Sequence, residues 1–463
     1  MAVNYFHPQY QNALERWQVT RDCVEGQQAV KSRATDYLPA FQDNDSDRYI
    51  AYLQRAYFVN VTGRTRNGLM GAVFRKDPVC KLPGELEYMK ENADGTGMNI
   101  EQFAKSATKE LVELGRFGIL TEYPQVDEGL TVAQVNQMGL QPFLIGYKAE
   151  QIINWRTTVI NGASVVTLVV LRVVSIDDVD EFIATELNQF LVLRLEQLDE
   201  FGDQLIYTQQ RYYSDGNEGP KAVPRMADGQ PWGAIPFSFI GSEDNKPAID
   251  VSPLYDIANI NIAHYRNTAD FEEMCFISGQ PTIFLSSDIS YQEFQAANPN
   301  GVVVGSRAGH FLGSGGSAQM LQPQPVGVLQ NAMKDKQDQM VAIGAKLISG
   351  PVANQTAEAS RINASSENSV LDTIVGNLSD AITSALEYAA LFIGANPDDC
   401  SFELNKDFYD DGIDPQVLIA MIQLADRGDI AQTDVRAYLR KVEAIEPHRT
   451  DENIDDDAET FGP

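Results

Sequence analysis

Apolar residues recur at three- and four-residue steps in several separated stretches of the chain, and each stretch predicts an amphipathic helix. The clearest begins near Asn99, where Ile100, Phe103, Ala107, Leu111 and Leu114 share one face. It runs into an apolar strand from Phe117 to Tyr123, which Pro124 stops. The first 45 residues read as helix and then loop, ending in the polar cluster at 42–47. One long helix is expected next, from Ser46 to Val73, with Asp45 or Ser46 as N-cap because a short side-chain oxygen accepts from the free amides of a first turn.

From about 142 to 240 the period becomes that of strands, at 142–147, 164–175, 189–198, 204–213 and 235–241, separated by Asp, Gly and Asn clusters. This predicts an antiparallel β region. Helix returns at Ser252, the expected N-cap, with Pro253 at the first position, where its missing amide costs nothing. Leu254, Ala258, Ile262, Tyr265, Ala269 and Phe276 mark its apolar face up to a break at 278–281. A small mixed insert is expected over the following residues: a strand at 281–285, a short helix at 291–297, a strand at 301–305 and a flexible Gly- and Ser-rich stretch at 309–319. Pro323 and Pro325 close it, and a helix runs from Pro325 to Ile348.

A Gly-Pro break at 349–355 precedes a helical pattern from Thr356 to Ile393, with Leu371, Ile374, Leu378, Ala381, Ala385 and Ala389 in helical spacing. Some 38 residues give roughly 57 Å, long for a globular helix. A strand at 400–408 and two shorter helices follow, starting near Asp414-Pro415 and Thr433, with Gly428 ending the first. The acidic tail from 446 is too poor in apolar residues to build a core. The fold class is α+β, and 463 residues exceed what one growing core accommodates, so more than one compact region is expected.

Composition changes this picture in three ways. With 43% hydrophobic and 22% charged residues the chain is of globular type, and no apolar run reaches the eighteen or so residues of a spanning helix, so no membrane partner is expected. The opening MAVNYFHPQYQNALERW has neither a basic leader with an apolar stretch nor a small-residue cleavage site, which predicts no secretory signal and assembly in the cytoplasm. The 65 acidic side chains outnumber the 35 basic ones, and a net charge of −30 repels a phosphate backbone, so any contact with DNA is expected to be weak or local.

Candidate chemistry mostly fails its own spacing tests. Cys23, Cys80, Cys275 and Cys400 lie far apart and form no CxxC pair, which argues against a zinc site or a disulfide framework. His7, His264, His310 and His448 include no pair at helical spacing, and His264 reads as packed. Asp43, Asp45 and Asp47 alternate like the opening of a calcium loop, yet Arg48 and Gln54 stand where a glycine and a bidentate glutamate are needed. Asp410 to Asp414 reads as a turn and cap, and the glycines at 313–316 lack the Lys-Ser/Thr that a nucleotide loop requires. No cofactor, metal or catalytic residue is expected, and the chain is not read as an enzyme. A carboxylate-based hydrolase built from residues that folding brings together remains the rival reading.

Four stretches carry a family resemblance: SDRYIAYLQRAYFVNVTGRTRNGLMGAVFRKDP at 46–78, GRFGILTEYP at 115–124, VSPLYDIANINIAHYRNTADFEEMCFISGQPTIFL at 251–285, and IGAKLISG with TAEASRINASSENSVL at 343–371. In order and spacing they resemble the portal, or head-tail connector, proteins of tailed bacteriophages. The resemblance implies a wing over 1–250, stem helices over 251–277 and 323–348 flanking a clip at 278–322, a tunnel loop at 349–355, a long wing helix and strand to 406, and a short crown and tail over 407–463. It also implies a homo-oligomeric ring of about twelve copies at one vertex of the virion capsid. The implied partners are the terminase large subunit, a head-tail adaptor, the major capsid and scaffolding proteins, and non-specific double-stranded DNA in the channel. A tail or baseplate ring component is the alternative within that setting. The channel candidates are Lys334 and Lys336, on the polar side of a helix whose narrow apolar stripe is Leu329, Met333, Met340 and Leu347, together with Ser349, Gly350, Pro351, Val352, Ala353, Asn354 and Gln355.

Overall fold

The computed structural model describes residues 3–40, 46–124, 140–180, 183–213, 216–279, 282–299 apart from 287, then 301, 311–321, 327–348, 357–406, 408, 415–441 apart from 428, and 445, 449–451 and 453–454. Helices α1 (Pro8–Glu25), α2 (Gln27–Ser32), α3 (Ser46–Arg55), α4 (Val61–Val73) and α5 (Ile100–Leu114) build the first part, with the short strand β1 (Val79–Lys81) after α4. Asn99 caps α5 through a reciprocal box with Gln102, and Gly115 ends it in the left-handed region at φ 71°, turning the chain directly into β2 (Arg116–Glu122). All five residues of the expected α5 stripe are buried.

The β region divides into two antiparallel sheets. β2 lies between β3 (Phe143–Lys148) and β9 (Phe237–Gly241). A five-stranded meander contains β4 (Ile152–Ile160), β5 (Ala163–Asp180), β6 (Ile183–Gln197), β7 (Leu205–Tyr212) and β8 (Glu218–Ala222) in sequence order. β4 and β8 were not foreseen. β4 reaches β5 through Asn161-Gly162, both at positive φ, the geometry that a two-residue hairpin needs.

After the sheets come α6 (Tyr255–Ser278), β10 (Thr282–Ser286), α7 (Tyr291–Ala297), β11 (Ser317–Leu321), α8 (Gly327–Ile348) and α9 (Ala357–Ile393). β12 (Ser401–Glu403) pairs with β1, and α10 (Pro415–Asp426) and α11 (Gln432–Lys441) follow. The described residues are mixed, 49% helical and 22% strand, as the α+β reading expects.

Three apolar cores hold these parts together. The first packs α9 against α5, β1 and β12, and all six expected α9 stripe residues lie in it, Leu378 fully buried. The second lies around the two sheets, with Tyr10 and Trp17 of α1 and Phe392 at the end of α9. The third surrounds the first half of α6 with Cys23, Val30, Tyr37, Leu38, Tyr52 and Phe58.

The expected continuous helix over 46–73 is two helices, α3 and α4, with a break at 56–60. Tyr52 and Ala56 face the third core while Leu69 and Val73 face the first, and one straight rod could not serve both. The break strands peptide groups that burial would leave unpaired, and α6 supplies their partners. The Asn261 carboxamide donates to Val59 O at 2.8 Å, and its oxygen accepts from Val61 N, Thr62 N and the Thr62 hydroxyl at 3.3, 3.2 and 3.0 Å. Thr268 donates to Tyr57 O. Asn60 caps α4 by accepting from Gly63 N at 2.7 Å, and a Cβ at Gly63 would sit 2.6 Å from that same oxygen.

Other expectations are also corrected. α6 starts at Tyr255, because Ser252 to Tyr255 close a turn and the Ser252 hydroxyl donates to Glu113 O, docking the helix start on the end of α5. Phe276 is not on the buried face: it is 44% exposed beneath the Arg55 guanidinium. Residues 317–319, expected to be flexible, belong to β11, which pairs with β10. α11 begins at Gln432, one residue before the expected start at Thr433, and Asp434 accepts from Ala431 N. The expected strand at 302–305, Asp43 to Asp45, Asp410 to Asp414 and Gly428 lie outside the described residues.

Because Asn261 holds the buried Thr62 amide and hydroxyl and shares Val61 N and Val59 O, which also bond each other, Asn261→Ala should lower the unfolding free energy by about 2–4 kcal/mol, read by chemical denaturation. A loss under about 0.5 kcal/mol would show that the break at 56–60 stands without it.

Candidate functional site

Of the channel candidates, Lys334 and Lys336 lie on α8, which packs along α6. α6 is buried over its first four turns at Ile257, Ala258, Asn261, Ile262, His264, Tyr265, Thr268 and Ala269, and then emerges, with Cys275, Phe276 and Ile277 exposed. On α8, Met340 is fully buried, Leu329 and Met333 are half-buried, and Val328 and Val341 are exposed. The expected stripe is thus at least half-buried at Leu329, Met333 and Met340, the Leu347 side chain lies outside what is described, and the polar side, at Asn331, Lys334, Asp335 and Asp338, is open.

Lys334 lies on that open side, exposed, and neither it nor Lys336 forms an ion pair among the described residues. Lys336 is half-buried and turns toward α6, where its charge acts on His264. Ser349, Gly350, Pro351, Val352, Ala353, Asn354 and Gln355 lie outside the described residues.

His264 is fully buried. The Gln337 side-chain amide donates to its Nε2 at 3.1 Å, which puts the ring proton on Nδ1, and Nδ1 is buried without a hydrogen-bond partner among the described residues. A second proton on Nε2 would face an N–H donor. Burial, and after it the charge of Lys336, hold His264 below the usual histidine value. Gln337 was not foreseen, because nothing in the period of α8 marks one polar residue as the partner of a buried ring.

The insert between the two helices holds itself together by polar contacts. Asp288 accepts from Gly315 N at 3.0 Å and from the Ser314 hydroxyl at 3.2 Å, so a carboxylate of the chain occupies the amides of the Gly-rich turn. Gly313 supplies the positive φ, 84°, that the turn requires. Ser290 and Glu293 cap α7 reciprocally. Asn298 bonds both backbone groups of Phe311, at 3.0 and 3.2 Å. None of its described residues belongs to the three apolar cores, while Phe284, Tyr291 and Phe311 are 55%, 76% and 62% exposed.

No group of three or more metal-ligating side chains occurs among the described residues. The buried Glu110 and Glu113 and the half-buried Glu150 are neutralised by arginine: Arg21 pairs with all three and Arg66 with Glu113. Burial opposes the charge of Glu150, but hydrogen bonding and charge from Arg21 together outweigh it and hold Glu150 below the usual carboxylate range. Carboxylates so occupied clamp α1 onto α5. No helix among the described residues is long and apolar enough to cross a membrane.

A family model described as a domain of unknown function, DUF4055, matches residues 253–393, from the turn before α6 to the last residue of α9. No curated protein matches the chain. Among solved structures the chain is similar to one described as the virion of a native gene transfer agent particle, at 12% identity and TM-score 0.41, over 87% of this chain and 94% of that one. It is also similar to a chain in the neck of the empty particle computed with C6 symmetry, at 12% identity and TM-score 0.41, over 83% and 90%. A third similarity is to the neck of the native particle computed with C12 symmetry, at 12% and 0.40, over 89% and 98%.

Since the folded His264 value lies below the unfolded one, the unfolded chain takes the proton first as pH falls. The stability that neutral His264 contributes is complete above about pH 6.5 and is lost as pH falls from there through the lower folded value. The melting temperature of the wild type should therefore drop more between pH 7 and pH 5 than that of His264→Gln. Parallel curves would mean that the ring is not held neutral by the hairpin.

Proposed function

We propose that this chain is the portal subunit of a tailed bacteriophage: a structural, non-enzymatic protein of the virion that closes into a ring of about twelve copies around a channel for double-stranded DNA. One observation carries the proposal. α6 and α8 pack as a hairpin whose base is embedded in the body and whose far end bears an insert with no described residue in an apolar core and with exposed Phe284, Tyr291 and Phe311. Monomeric proteins bury such rings or dedicate them to a partner. Copies arranged head to tail around an axis would cover one flank of each insert with its neighbour's other flank. The order of helix, insert, helix and long helix is the order that the family resemblance implies.

In this reading the hairpin is the stem, the insert at 278–322 is the clip that docks the terminase large subunit and later a head-tail adaptor, and 349–355 is the tunnel loop. The ring sits at one capsid vertex, in contact with major capsid and scaffolding proteins, and is assembled in the host cytoplasm. Lys334, and Lys336 beside it, would be repeated about twelve times at one height, which turns single lysines into a positive band within an acidic channel. Twelve chains of −30 carry on the order of −360, and such a wall gives DNA no strong binding surface. Sliding requires weak contacts.

Two variants test the assignment of parts. Replacing 278–322 by a short turn should leave assemblies of normal size that package no DNA; packaging by the deletion variant would remove motor docking from the insert. Lys334→Gln combined with Lys336→Gln should leave assembly unchanged, because neither lysine has an ion-pair partner among the described residues and a charge without one contributes under about 1 kcal/mol. It should alter DNA retention most at low salt, where phosphate contacts are least screened. Identical retention from low to high salt would eliminate the positive band.

A further inference from the structure

β5 and β6 are far longer than the sheet they belong to. β4 accompanies β5 only as far as Leu171, and β7 accompanies β6 only from Phe190 onward, yet β5 and β6 continue to pair with each other from Val173↔Gln189 to Asp180↔Ile183. Residues 173–180 and 183–189 thus form a two-stranded ribbon that no other described strand joins on either edge, projecting roughly 26 Å at about 3.3 Å per residue. Gln189 Nε2 donates to the Ser175 hydroxyl at 2.7 Å near its root, where Val174 is exposed. A two-stranded ribbon is marginally stable by itself in water, and its open edges invite pairing with another chain. Its strands carry Asp177, Asp178, Asp180 and Glu186, and the sequence has no lysine or arginine between Arg172 and Arg194.

The complementary charge lies elsewhere on the same chain. On the α4–α5 pair, Arg64, Lys105 and Lys109 are exposed. Lys105 rests over the Phe74 ring and pairs with Glu101, and neither Arg64 nor Lys109 has an ion-pair partner among the described residues. On a chain of net charge −30, most approaches of one copy to another are repulsive, so a contact between copies is selected where cations gather.

We infer that the 173–189 ribbon is an assembly arm that docks on the exposed α4–α5 face of a second copy of this chain. The inference rests on the ring reading and adds to it a charge-matched contact through which each subunit reaches its neighbour. It also accounts for a ribbon beyond the meander's core: among the described side chains, the buried residues Val169, Val170, Leu171, Leu191, Val192 and Leu193 all lie within the region flanked by β4 or β7.

Charge exchange tests it, with oligomeric state read by sedimentation velocity and native mass spectrometry on the full chain. The arm variant Asp177→Lys, Asp178→Lys, Asp180→Lys and the face variant Lys105→Glu, Lys109→Glu should each reduce the ring population at least about tenfold, a change of 1.4 kcal/mol in assembly free energy. Mixing the two sets in one chain should restore it. A ring fraction equal to wild type in both variants, or no recovery on combination, overturns the contact and leaves a solvated ribbon protected by its carboxylates. If a reversal variant fails to fold, a chain with 173–189 replaced by a tight turn decides instead. Its melting temperature should match the wild type while its rings are lost, and intact rings would overturn the arm. Wild-type protein that stays monomeric overturns both the arm and the ring reading, whereas rings indifferent to every one of these changes overturn the arm alone.

Discussion

The structure depends on a single helix being packed at one end and bare at the other. Over its first four turns α6 is buried apart from a stripe at Asp256, Asn259 and Arg266, and two of its buried side chains, Asn261 and Thr268, bond the backbone where the 46–73 segment breaks. Those bonds let α3 and α4 face different cores, and through them the N-terminal helices, α5 and α9 are fixed around a common base. Loosening that base would release the hairpin, since the described residues of 271–339 belong to none of the three apolar cores.

The same arrangement explains how polar residues are distributed on the hairpin. Asn261, His264 and Thr268 occur within eight residues of a helix whose neighbours are apolar, positions where a buried polar group is costly unless each hydrogen bond is made. Asn261 and Thr268 make theirs. His264 makes one with Gln337, and its Nδ1 has no partner among the described residues. Beyond this polar stretch the chemistry changes to exposed aromatic and aliphatic side chains and an insert stabilised by caps and turns. Such a division suits a part that is positioned rigidly from below and completed from outside.

Much of the fold was legible in the sequence wherever a single face meets a single core. The α5 stripe from Ile100 to Leu114 and the α9 stripe from Leu371 to Ala389 are buried as their spacing requires. Legibility failed where two cores compete for one segment. The apolar residues of 46–73 keep helical spacing across the break, and what interrupts the helix is a carboxamide some 200 residues away, which no local pattern reveals. β4 escaped because its outer half alternates Arg156, Thr157, Thr158 and Val159, all exposed, and resembles a polar loop. Phe276 follows the period of α6 yet lies past the point where the helix leaves the body, so periodicity extended the buried face too far. Of the candidate site, Lys334 on an open helical face was readable from the pattern, while the turning of Lys336 toward His264 depends on how two distant helices meet.

The central claim is that copies of this chain close around an axis through the α6–α8 hairpin, and direct imaging of the purified protein by cryo-electron microscopy tests it. The account predicts rings on the order of 600 kDa, about twelve chains of 51.2 kDa, with an axial channel and with Phe284 and Phe311 covered by the adjacent subunit. Monodisperse single chains or closed dimers with the insert exposed to solvent would contradict it.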